Sequence, residues 1–146
     1  MVVFRDLKGL MDIIISWEKK LSEFYETSEA VVSTERCRQI IGMLKTNHDK
    51  NLGIIEDLRV ENFGKDEWVQ ITPDINVKKL LPTECITCDS TPQEITHYVL
   101  EFEIQLKDFY SSIADRIVTR EEKELFESLV MFKDHQIMKI KQSMDV

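Results

Sequence analysis

A nine-residue stretch that occurs twice constrains this chain more than anything else in it. Trp17-Glu18-Lys19-Lys20-Leu21-Ser22-Glu23-Phe24-Tyr25 returns as Phe102-Glu103-Ile104-Gln105-Leu106-Lys107-Asp108-Phe109-Tyr110, in register 85 positions later. Each copy precedes a second helical pattern with one histidine, Asn47-His48-Asp49 in the first and Asp134-His135-Gln136 in the second. The histidines stand 87 positions apart, so two residues are read as gained between the helices of the second copy. The implied architecture is a duplicated helical hairpin, each copy bearing one inward Glu and one inward His.

Periodicity supports both hairpins. Over residues 4–32 the positions Leu7, Met11, Ile14, Glu18, Leu21, Tyr25, Ser28 and Val32 alternate in steps of four and three, one face of a helix. A glutamate in the middle of that apolar face is costly unless paired or liganded. Ser33 and Thr34 offer a cap for a second helix over 34–62, with Cys37, Ile41, Leu44, His48, Leu52 and Ile55 inward. The sequence Thr91-Pro92-Gln93-Glu94 combines an N-cap hydroxyl, a first-turn proline and a third-position glutamate. It opens a third helix over 92–118 whose inner face carries Val99, Glu103, Leu106, Tyr110, Ile113 and Ile117. Thr119 and Glu122 cap a fourth over 120–143, read with Leu125, Leu129, Phe132, His135 and Met138 inward.

Residues 63–91 break the periodicity with Pro73, Pro82 and their polar neighbours, yet Trp68, Val69, Ile71 and Leu80 are too apolar for a disordered linker. A packed crossover with one short helix around 76–81 is expected. Hairpin, long crossover, hairpin gives an all-α, single-domain, up-down-down-up four-helix bundle over residues 1–146. No strand signal stands out. The formal charge of −8 argues against a nucleic-acid partner, which needs a basic face. Residues 1–16 are broken by Arg5, Asp6, Lys8 and Asp12, so neither a signal peptide nor a membrane span is read there. Three cysteines, an odd count, favour reduced cytoplasm.

Glu18, His48, Glu103 and His135 then lie on four inward faces at similar depth, and carboxylate with imidazole is a donor set for iron, manganese or zinc. In this constellation, in its topology and in its duplication the chain resembles the ferritin-like superfamily, and within it the rubrerythrin-type di-iron domains, over nearly its whole length. The resemblance implies a metal centre held by Glu18, His48, Glu103 and His135, and iron-linked oxidoreductase chemistry. The family also has a glutamate three residues before each histidine, and here those places hold Lys45 and Phe132. Bridging carboxylates offset the repulsion of two divalent cations, so their loss disfavours a dinuclear centre.

Three readings follow. One is a vestigial site in which Lys45 is the internal counter-ion, and another is a mononuclear site for one iron, manganese or zinc ion. The third is a working rubrerythrin-like oxidoreductase. A non-catalytic helical dimerisation module, forming a homodimer through its helix faces, is the alternative outside metal chemistry, and no catalytic residue is assigned. Tyr25 and Tyr110, two turns after the glutamates, are candidate supports of the site or core aromatics with a buried hydroxyl. Trp17, Phe24, Phe102 and Phe109 are read as core or as a dimer face. Cys85 and Cys88 form a C-x-x-C, half of a metal site or a thiol pair, with two ordinary reduced thiols the simpler reading. Cys37 reads as a small buried apolar residue.

Overall fold

The structure is a computed structural model that describes residues 3–57, 68–71, 86–117 and 120–144. Four helices dominate it: α1 (Leu7–Val31), α2 (Glu35–Asp57), α3 (Pro92–Arg116) and α4 (Arg120–Met144). The all-α class expected from the helical periodicity agrees with this. Two four-residue strands accompany the helices, β1 (Val3–Asp6) and β2 (Trp68–Ile71), paired antiparallel with Val3 opposite Ile71 and Asp6 opposite Trp68. Residues 4–6 therefore belong to a strand rather than to the first helix, which starts at Leu7. Part of the expected crossover, 68–71, is the partner strand. The short helix expected near 76–81 and the end of the second helix beyond residue 57 lie outside the described residues.

Helix starts follow the cap chemistry. Thr91 is the N-cap of α3 in extended conformation, and its hydroxyl accepts from the Glu94 N–H at 3.1 Å. Pro92 sits where a missing N–H leaves no bond unmade. Thr34 does the same for α2, accepting from the Cys37 N–H at 3.2 Å. Between Val31 and Glu35 only three residues intervene, so α1 and α2 form a tight hairpin.

The duplication runs deeper than the repeated nonapeptide. α1 and α3 begin and end 85 residues apart (7 to 92, 31 to 116), and so do the starts of α2 and α4 (35 to 120). The buried face of α2 is Cys37, Ile40, Ile41, Leu44, His48, Leu52 and Ile55. Each has a buried counterpart 85 residues on, in Glu122, Leu125, Phe126, Leu129, Lys133, Ile137 and Ile140. No residues were gained between the helices of the second copy. The spacing of 87 was an artefact of pairing His48 with His135, when the position equivalent to His48 holds Lys133.

Candidate functional site

Glu18 and Tyr25 stand two turns apart on the inner face of α1, and Glu103 and Tyr110 repeat them on α3. The tyrosines bond across the halves rather than within them. The Tyr25 hydroxyl donates to Glu103 Oε1 at 3.1 Å, and the Tyr110 hydroxyl donates to Glu18 Oε1 at 2.6 Å. Exchanging the two halves turns one bond into the other, so the site has an approximate two-fold relation. The aromatic rings around it obey the same relation. Trp17 meets Phe109 at 5.1 Å between ring centres and Phe24 meets Phe102 at 5.4 Å, both edge to face. These four rings join α1 to α3 inside the protein, which is the core reading of the two and not the dimer face.

Lys133 of α4 breaks the symmetry. Its Nζ lies 2.7 Å from Glu18 Oε1, 2.8 Å from Glu18 Oε2 and 3.1 Å from Glu103 Oε2. The contact with Glu103 is one of charge, since that oxygen has no aligned hydrogen bond. All three side chains are buried, Glu103 completely. The counter-ion is therefore Lys133 and not Lys45, which is half-buried on α2.

His48 is buried and its Nε2 lies 2.9 Å from the backbone oxygen of Glu18. A carbonyl only accepts, so Nε2 carries the proton, and Nδ1 faces Glu18 Oε2 at 3.5 Å. Gln136 completes the cluster. Its amide donates to the Tyr25 hydroxyl at 3.2 Å and to the Leu44 carbonyl at 3.0 Å, and its oxygen accepts from Asn47.

Of the four expected ligands, then, Glu18, His48 and Glu103 converge and His135 does not. His135 is exposed, and so is Met138. The error has a geometric cause. Reading 129, 132, 135 and 138 as one face uses steps of three, and each such step turns about 60° off the starting direction. The face that stays inward is Leu129, Lys133, Gln136, Ile137 and Ile140. Lys133 and Gln136 were missed because a polar residue near an exposed helix flank is ordinarily solvated. The signal available in the sequence was the offset of 85, which pairs Lys133 with His48.

Electrostatics hold the cluster in its charged form. Burial alone would raise the Glu18 carboxyl, but Lys133, then His48, with hydrogen bonds from Lys133 and Tyr110, hold it below its ordinary 4.5. Burial would lower the Lys133 ammonium, but the charges of Glu103 and Glu18 hold it above 10.5. Burial, and then the facing carboxylates, push Tyr25 and Tyr110 well above 10.0. Two carboxylates, one ammonium and two neutral phenols are thus the stable assignment. Buried charge left alone is expensive, and here each charge has a partner within about 3 Å.

The donor set does not fit a metal ion. Among the described residues no group of three His, Cys, Asp or Glu side chains is arranged to hold one. The ammonium of Lys133 stands between the two acids, where a cation would have to go, and would repel it. The adjoining cavity is about 10 Å³, lined by Glu18, His48, Tyr110, Phe132, Lys133 and Gln136 among others. That is the scale of one water molecule, too small for an organic substrate. Phe132, expected to fill volume beside the site, does line it.

The thiols stand apart from this centre. Cys37 is buried with its Sγ 3.5 Å from the Ser90 carbonyl, in keeping with a small packed residue. Cys88 is exposed, and Cys85 lies outside the described residues, so the geometry of the C-x-x-C does too. Among the described residues no helix is long and apolar enough to cross a membrane. Compared with protein-family models, curated proteins and solved structures, the chain matches none of them.

Proposed function

We propose that this chain is a ferritin-like, up-down-down-up four-helix bundle whose central acids are neutralised by a lysine instead of a metal. It acts by binding through its outer surface rather than by catalysis at its centre. The topology is supported by the order of side-chain contacts. Glu18 and Tyr25 of α1 meet Tyr110 and Glu103 of α3, in reversed order. The same two residues meet Lys133 and Gln136 of α4 in the same order. Arg36 and Asn47 of α2 meet Ser143 and Gln136 of α4, reversed again.

The observation that carries the functional reading is the ammonium of Lys133 within 3.1 Å of both carboxylates. It supplies the positive charge that a metal supplies in the rubrerythrin-type domains the sequence resembles. A second copy of the chain is the simplest partner for such a bundle, and sedimentation equilibrium measures it.

Metal analysis after anaerobic purification tests the centre. The expected result is substoichiometric iron, manganese and zinc, with no rise in melting temperature on adding Fe(II), because a ligand that binds only the native state must raise stability. About one ion per chain, lost in both His48→Ala and Glu103→Gln, overturns the reading in favour of a mononuclear centre.

A further inference from the structure

The duplication provides an internal control for the outer surface. Positions 131, 135 and 138 of α4 correspond, 85 residues earlier, to Thr46, Lys50 and Gly53 of α2. A place in the fold filled by threonine, lysine and glycine in one hairpin does not itself demand methionine, histidine and methionine in the other. Yet Met131 and Met138 are 57% and 54% exposed, and His135 between them is exposed as well. Steps of four and three set the three side chains on one face within two turns. The neighbouring acid does not neutralise the histidine, since Asp134 is bound to Lys107 at 2.6 Å.

We propose that Met131, His135 and Met138 form a surface site for a soft monovalent metal ion of the Cu(I) or Ag(I) type. Thioether sulfur is a soft donor that selects such ions, and imidazole suits copper, while hard divalent cations prefer carboxylate oxygen. The outer methionines are separated by roughly 10 Å along the axis at ~1.5 Å per residue. The unbranched, freely rotating methionine side chain lets both sulfurs lean toward the central imidazole. The formal charge of −8 draws cations to the surface. This site is separate from the buried Glu18–Glu103–Lys133 centre and does not depend on how that centre is read.

The test is silver nitrate titration in chloride-free buffer of the full chain carrying Cys85→Ser and Cys88→Ser, labelled at the methionine methyl carbons. The Met131 and Met138 resonances are expected to move together and to saturate at one ion per chain, while Met11 and Met43 stay in place. His135→Ala and Met131→Leu should each raise the silver concentration needed to shift Met138 at least tenfold. Both variants should melt like the parent, since the side chains are exposed. Methyls that do not shift, that titrate independently of each other, or that respond identically in His135→Ala overturn the proposal. So does silver taken up by Cys37 alone.

Discussion

The two hairpins of this protein have the same helix bounds and the same buried positions, and they differ most at one of them. Where α2 carries His48, α4 carries Lys133. The imidazole reaches only the Glu18 of its own hairpin, through the backbone oxygen and at 3.5 Å to the carboxylate. The longer lysine reaches both acids, one in each hairpin. A single departure from the repeat thus ties the halves together, and it does so with the charge the two carboxylates lack. The lesson is that in a duplicated core the position that departs from the repeat is the one to examine first. Outside the core the comparison inverts: the interior repeats and the surface does not, as Thr46, Lys50 and Gly53 against Met131, His135 and Met138 illustrate.

The strongest way to break this comparison is Lys133→Met, which keeps the volume and removes the charge. Two buried carboxylates then lose their cation, and denaturant unfolding should show a loss of about 3–5 kcal/mol. Adding Glu18→Gln and Glu103→Gln should recover most of it, because apolar and neutral replacements of a buried ionic group are often tolerated. A Lys133→Met protein as stable as the parent would mean that the ammonium does not sit between the acids.

A smaller effect is expected from the crossed phenols. Tyr110→Phe and Tyr25→Phe each remove a hydrogen bond to a buried carboxylate and should cost about 1.5–3 kcal/mol apiece. The two-fold relation predicts similar losses, with a further penalty in Tyr25→Phe because the Gln136 amide then loses an acceptor. A loss confined to one of the pair would show that the halves are not equivalent at this level.

The pH dependence follows from the same groups. Glu18 is held below 4.5, so it contributes stability above that value, and the contribution fades as pH falls through its lower folded value. Tyr25 and Tyr110 are held above 10.0 and Lys133 above 10.5. Their contributions are complete below those values and fade as pH rises beyond them. Stability measured by denaturant should therefore be level between about pH 5 and pH 9.5 as far as this cluster is concerned, falling on both sides. In Lys133→Met the acid limb should move to higher pH, since the carboxylates lose the cation that favours their charged form. An unmoved limb would point to other carboxylates as its origin.

The smallest effect belongs to the surface trio. Met131→Leu, His135→Ala and Met138→Leu should each change stability by no more than about 0.5 kcal/mol, as exposed substitutions do. A large loss on His135→Ala would return that residue to the interior and restore the original pairing of the two histidines.

Much of this molecule was legible in the chain. Every inner residue read for α2 and α3, and all those of α1 from Met11 on, is buried, because a step pattern of four and three leaves one helical face little freedom. The caps at Thr34 and Thr91 were legible for the same local reason: a hydroxyl and the orphan N–H three residues on need nothing distant. Glu18 and Glu103 could be placed inside from sequence alone, as acids in the middle of an apolar stripe. The pairing of β1 with β2, which joins residues more than sixty positions apart, had no such local signature.

What the sequence by itself determined is the duplication, the helices and the two inward acids, since each depends on contacts within a few turns. Only the tertiary structure decided what neutralises those acids. Glu18 and Lys133 lie 115 residues apart, and a lysine on a helix can point outward into water or inward along its stem without changing the local pattern. Two converging carboxylates, one from each hairpin, lower the free energy of the inward choice. That field exists only once the four helices have come together.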